Sequence, residues 1–141
     1  MALYFSSDPS RMDVDTVLRW LAEESYWAQG RTREKHEAAM AASRNYGIFD
    51  GEDGTQLGYA RAITDGATFA WIADVFVDPE ARGRGVGVAL MQGIIDDLEP
   101  LGLKRTALFT ADAHGLYEKF GFRRIDDAES WMVRGVVAHD S

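Results

Sequence analysis

The chain has 141 residues, 46% of them hydrophobic, with 15 Lys plus Arg against 23 Asp plus Glu and a net charge of −8. A length near one domain's worth and an ordinary apolar fraction exclude a disordered, collagenous or low-complexity chain. The carboxylate excess argues against nucleic acid or an anionic membrane as partner, and the absence of cysteine excludes disulfides, thiolate metal sites and a Cys nucleophile.

No repeat or Pro/Gly/Ser tract divides the sequence, so one domain over 1–141 is expected. The start lacks the basic and apolar segments of a signal peptide, and no run reaches 18 apolar residues, which predicts a soluble cytoplasmic protein. Leu3 to Phe5 reads as a first strand. Val14, Val17, Leu18 and Leu21 fall on one helical face behind Asp13 as N-cap, predicting a helix to about Glu24. An aromatic loop, Ser25 to Arg31, leads to Thr32, which caps a second helix running to about Arg44. Strand-like runs follow at Tyr46 to Asp50, Leu57 to Thr64 and Thr68 to Val77, joined by Asp-Gly turns that predict an antiparallel meander. The third run is apolar on both faces, as in a central strand, and Asp74 is its only charge.

A glycine-rich turn then opens a helix from about Gly85 to Leu98, with Val86, Ala89, Leu90, Gly93 and Ile94 on its inner stripe. Arg105 to Thr110 reads as a strand. Asp112 is placed to cap a short helix, Ala113 to Phe120, ended by Gly121. Phe122 to Ile125 and Trp131 to Val137 are expected to close the sheet. The order predicts an α+β fold: a mixed, mostly antiparallel central sheet flanked by about four helices.

Two stretches carry chemistry. In Arg82-Gly83-Arg84-Gly85-Val86-Gly87, glycines let successive N–H groups converge at a helix start, a suitable cradle for phosphate, while the two arginines add charge-assisted donors. Such turns also serve as plain connections. A P-loop would need Gly-Lys-Ser/Thr, and a dinucleotide fingerprint would need glycine at Val88, so neither ATP hydrolysis nor NAD chemistry is indicated. About 30 residues downstream, Leu116 and Phe120 share one helix face while Tyr117 points elsewhere, either packing or facing a cleft.

Val77-x-Pro79-x-x-Arg82-Gly83-x-Gly85-x-Gly87, followed by Ala113-x-x-Leu116-Tyr117-x-Lys119-x-Gly121-Phe122, resembles the Gcn5-related N-acetyltransferase (GNAT) superfamily. Small bacterial acetyltransferases with a Ser-Tyr-Trp-Ala loop, here Ser25-Tyr26-Trp27-Ala28, are similar. The resemblance implies that the amides of Arg82, Gly83, Arg84, Gly85, Val86 and Gly87 hold the pyrophosphate of acetyl-CoA. It further implies that the pantetheine arm runs along Val75, Phe76 and Val77, and that Tyr117 protonates the departing CoA thiolate. Many members carry Asn where Thr110 stands, so a hydrogen bond near the cofactor is altered here. Similar proteins are commonly homodimers, although no unpaired apolar helix face identifies one in this sequence.

The acceptor implied is a primary amine, of a small molecule, attacking directly in a ternary complex. An amine with a pKa of about 10.4 is only roughly 0.04% neutral at pH 7, a barrier of about 4.6 kcal/mol unless a base assists. Asp74 is the candidate base or amine-orienting carboxylate, with a purely structural aspartate as the alternative. Tyr26, Trp27 and Arg31 are candidate acceptor-pocket residues, since aromatic faces attract ammonium groups; anchoring of their loop is the other reading. His36, His114 and His139 are too scattered for a metal site, so no metal is expected. The rival functions are a non-catalytic acyl-CoA sensor and a protein N-acetyltransferase.

Overall fold

Tight Asp-Gly turns fold successive strands back on one another, and the computed structural model, which describes residues 2–135, follows the chain order closely. The strands are β1 (Leu3–Ser6), β2 (Arg44–Asp50), β3 (Gln56–Thr64), β4 (Phe69–Val77) and β5 (Arg105–Leu108), paired in that order. The first four run antiparallel. β5 runs parallel to β4 because a helix crosses over between them. The helices are α1 (Val14–Arg19), α2 (Arg33–Ala41), α3 (Val86–Leu98) and α4 (His114–Glu118). A mixed, mostly antiparallel sheet with four helices is therefore the architecture.

The sheet is covered on both faces. Val86, Leu90, Met91, Ile94 and Leu98 of α3 pack on Tyr46, Ile48, Ala60, Ala62, Ala70 and Ile72. Full burial of such a side chain stabilises by about 1.5–3 kcal/mol. Gly93 lies where a Cβ would come within 2.2 Å of the Phe5 ring, so its lack of a side chain lets α3 approach β1. On the other face, Val17, Trp20, Leu21 and Met40 pack against Phe49, Tyr59 and Phe76. Asp13 caps α1 by accepting from the Thr16 amide, and Thr32 caps α2 by accepting from the Lys35 amide.

β4 changes faces midway. Ala70 and Ile72 belong to the core under α3, yet Phe76 belongs to the opposite core, and Val75 and Val77 pack on the α3 side. A bulge accounts for the switch: pairing slips between Tyr59 and Arg61, and Asp74 adopts φ +56°. One extra residue exchanges the two faces of everything after it. Asp is among the few side chains that tolerate this left-handed backbone.

Four expectations are corrected. The helix expected from about Val14 to Glu24 is α-helical only to Arg19, and Trp20–Glu24 forms a π-helical turn in which the Ser25 amide donates to Trp20 O. Phe122 to Ile125 forms no strand: the run is interrupted by Arg123 and Arg124, and Ile125 is largely exposed. Residues 131–135 form none either, Trp131 lying instead against the Arg105 guanidinium at 5.6 Å, while Val136 and Val137 lie outside the described residues. Asp112 does not cap α4, because the helix begins at His114 and its N-cap position falls on Ala113, with no capping side chain.

Candidate functional site

β4 and β5 separate where their pairing stops. Residues Phe69–Ile72 pair with Arg105–Leu108, but beyond Ile72 the edge of β4 that faces β5 has no strand partner among the described residues. The chain's concave surface follows from this splay. A cavity of about 620 Å³ lies on the α3 side, lined by Val75, Phe76, Val77, Arg82, Gly83, Gly85, Val86 and Gly87 among others. A smaller one of about 100 Å³ lies against Trp71, Asp74, Phe109 and Thr110. Tyr26, Trp27, Val75, Asp112, Ala113 and Tyr117 line both, so the two communicate.

The glycine turn has the geometry of an anion cradle. Gly83 and Gly85 take φ +82° and +80°, conformations that side chains disfavour, and Gly85 is the N-cap of the 13-residue α3 without any capping side chain. The first main-chain bond there runs from Ala89 N to Gly85 O, leaving the amides of Val86, Gly87 and Val88 without a main-chain acceptor. Those free amides and the positive end of the helix dipole face the large cavity, where a pyrophosphate fits. Arg82 lines it, folded back so that Nε donates to Val77 O and the guanidinium lies over Phe76; Arg84 does not line it.

Asp74 is not a free carboxylate. Its side chain is 2% exposed and accepts four hydrogen bonds: from Trp27 Nε1 (2.9 Å), Arg31 Nη1 (2.6 Å) and Nη2 (3.2 Å), and Arg61 Nε (2.7 Å). Burial pushes its pKa up, but Arg31 and Arg61 outweigh that and hold the carboxyl below the usual range. A carboxylate so held accepts protons poorly. Its partners instead define its work: Asp74 ties the loop after the π turn to the bulge of β4. Arg61 was not singled out from the sequence, although a lone arginine in the otherwise apolar middle of β3 signals a buried acidic partner.

That tie positions the aromatic loop. Ser25 Oγ donates to Leu21 O and accepts from the Ala28 amide, pinning the turn. Tyr26 and Trp27 meet edge to face, and the Tyr26 hydroxyl accepts from the Ala111 amide across the site. Arg31 lines neither cavity. Thr110 faces the small cavity, its hydroxyl oxygen accepting from Ala113.

Tyr117 sits where the cavities meet, its ring edge to face with Phe122, and its hydroxyl has no hydrogen-bond partner among the described residues. Burial first, then the Tyr26 and Asp112 charges, push its pKa up to about 12.

His36 lies near enough to Arg31 and Asp74 to feel their charges, 1% exposed, and among the described residues neither ring nitrogen has a hydrogen-bond partner. Burial, then the Arg31 charge, lowers its pKa, so the folded state holds it neutral. Only the unfolded chain takes up this proton as pH falls below about 6.5, so stability drops there. Melting temperatures from pH 8 to 5 should fall more steeply for the natural chain than for His36→Phe; parallel curves would refute the assignment.

Comparisons with known proteins converge on one family and fold. The family model described as acetyltransferase (GNAT) family matches residues 14–122. A solved structure of a Xanthomonas campestris pv. campestris protein, assigned to the GNAT acetyltransferases, superposes with TM-score 0.90 at 38% identity, covering 100% of this chain and 98% of that one. An acetyltransferase from Clostridium acetobutylicum, solved with acetyl-CoA, shares the fold at TM-score 0.70 and 14% identity over 99% and 100% of the two chains. A Gibberella zeae protein named as an acetyltransferase is 29% identical over 81% of this chain and 75% of its own length. Rice and Arabidopsis relatives are matched over only 36–42% of their length.

Proposed function

The chain belongs to the acetyltransferase (GNAT) family, and on that premise we propose that it transfers acetyl from acetyl-CoA to the primary amine of a small molecule, as a single cytoplasmic domain acting by direct attack. The observation that carries this reading is the meeting of two cavities at Tyr117, one ending on a free-amide cradle and the other walled by aromatic rings. Acetyl-CoA supplies an activated acetyl thioester.

The chain's own residues divide the remaining work. Gly83, Gly85 and the amides of Val86 and Gly87 bind the diphosphate, with Arg82 beside them. The unpaired edge of β4 at Val75 and Val77 offers main-chain groups to the extended pantetheine arm. Tyr26 and Trp27 wall the amine's approach, held by Asp74, Arg31 and Arg61. Asp74 is thus a positioning residue, and its engaged carboxylate leaves little capacity for a base.

Tyr117 Oη keeps its proton throughout the physiological range. A donor at about pKa 12 facing a thiolate whose conjugate acid lies near 8.5 would transfer the proton uphill, by roughly 5 kcal/mol. Burial raises a thiol leaving into the same cavity, which narrows that gap. Tyr117 therefore serves first as a hydrogen-bond donor to the developing sulfur charge and gives up its proton as the thiolate departs.

Binding is tested by thermal melts with acetyl-CoA. Ligand at 100 times its Kd should add about 2.7 kcal/mol to stability, and no shift at millimolar acetyl-CoA would remove the donor assignment. Release of CoA thiol across an amine panel then tests transfer, free of protein-thiol background because the chain has no cysteine. Binding without turnover on any amine would favour the sensor reading.

A further inference from the structure

Three carboxylates reach the two cavities, and they differ in what holds them. Asp74 lines the small cavity with both oxygens taken by Trp27, Arg31 and Arg61. Glu24 lines only the large one. Asp112 lines both, and among the described residues its carboxylate has neither a hydrogen bond nor an ion pair. Its release follows from the helix register: the N-cap position of α4 falls on Ala113, one residue later, and no side chain caps the helix. The negative charge is thereby left at the junction where the acceptor must meet the thioester.

The small cavity adds a second constraint. Tyr26, Trp27, Trp71 and Phe109 make its lining aromatic, while among the described residues no Lys or Arg lines it. Rings beside an unpaired carboxylate attract an ammonium group and repel an anion. Its free volume of about 100 Å³ is several times what one water needs, enough for an aminomethyl group and its neighbours.

We propose that Asp112 receives the ammonium of the acceptor, and that the acceptor is a compact, cationic monoamine with no phosphate or carboxylate near its nitrogen. This rests on the acetyl-transfer reading above. Asp112 acts by binding and orienting the ammonium, which gives one proton to solvent through the open junction before the nitrogen attacks the thioester, and a longer substituent leaves by the same opening.

Phenethylamine and phenylalanine make a suitable probe pair, since they differ by one carboxylate beside the same amine. With acetyl-CoA saturating, the natural chain should favour phenethylamine. Asp112→Asn should raise the KM for phenethylamine by about tenfold or more, the loss of one charge-assisted hydrogen bond, and should shrink the preference for it over phenylalanine. Asp112→Glu should restore part of both. Acetyl-CoA affinity by calorimetry and the melting temperature should stay unchanged in both variants, which a structural role for Asp112 would not allow. Failure of the natural chain to bind acetyl-CoA would overturn the donor reading itself. Acetyl-CoA binding together with no transfer to phenethylamine, equal use of the two probes, or an unchanged KM in Asp112→Asn would overturn this proposal alone.

Discussion

Tyr117→Phe is expected to lower acetyl transfer by about 10²–10⁴-fold, the range spanned by a positioned proton donor, while leaving acetyl-CoA affinity nearly unchanged. The substitution removes only the hydroxyl. The ring that meets Phe122 edge to face is retained, and no described residue loses a hydrogen-bond partner, so the melting temperature should move by little. Steady-state kcat, calorimetric acetyl-CoA binding and a thermal melt separate these effects. Full turnover in the variant would mean that another donor, or water, accompanies the departing sulfur.

Asp74→Asn should act mainly on stability. It leaves Arg31 and Arg61, each with only 13% of its side chain exposed, facing a neutral amide. Removing one partner of a buried ionic cluster costs about 3–5 kcal/mol. For a chain of this size that corresponds to a fall in melting temperature of about 10 °C or more. The Trp27 bond and the aromatic loop should loosen together, raising the amine KM more than the acetyl-CoA Kd. The pH dependence has a defined sign. Asp74's carboxyl lies below its ordinary value in the fold, so its contribution is complete above about pH 4 and is lost as pH falls through the depressed folded value. The variant should therefore lose less stability below pH 4 than the natural chain. A melting temperature within about 2 °C of the natural chain's at pH 7 would overturn Asp74's role as the tie between loop and sheet.

Much of the fold was legible because its signals are local. Apolar spacing and N-caps placed α1 and α2, Asp-Gly pairs placed the hairpins, and glycine before an apolar stripe placed the start of α3. The cradle was legible for the same reason, since positive-φ glycines and free helix amides arise from neighbouring residues. The strands expected after Gly121 show where local signals ran out. Phe122 to Ile125 has β-forming residues but lacks, among the described residues, a pairing partner or a face to bury.

The roles of the carboxylates were decided otherwise. Asp74 stood out as a lone charge in an apolar strand, but its partners lie 13, 43 and 47 residues away, and only folding brings Arg61, Arg31 and Trp27 onto it. Asp112 looked like a cap, but the helix starts one residue later than expected, with Ala113 at the N-cap. The sequence by itself determined the element order through α4, the glycine turn that opens α3 and membership of an acetyltransferase family, because each is written in short-range spacing. The tertiary structure alone decided which acidic side chain is spent on structure and which is free for a ligand, because desolvation and charge pairing depend on neighbours in space that no local pattern encodes.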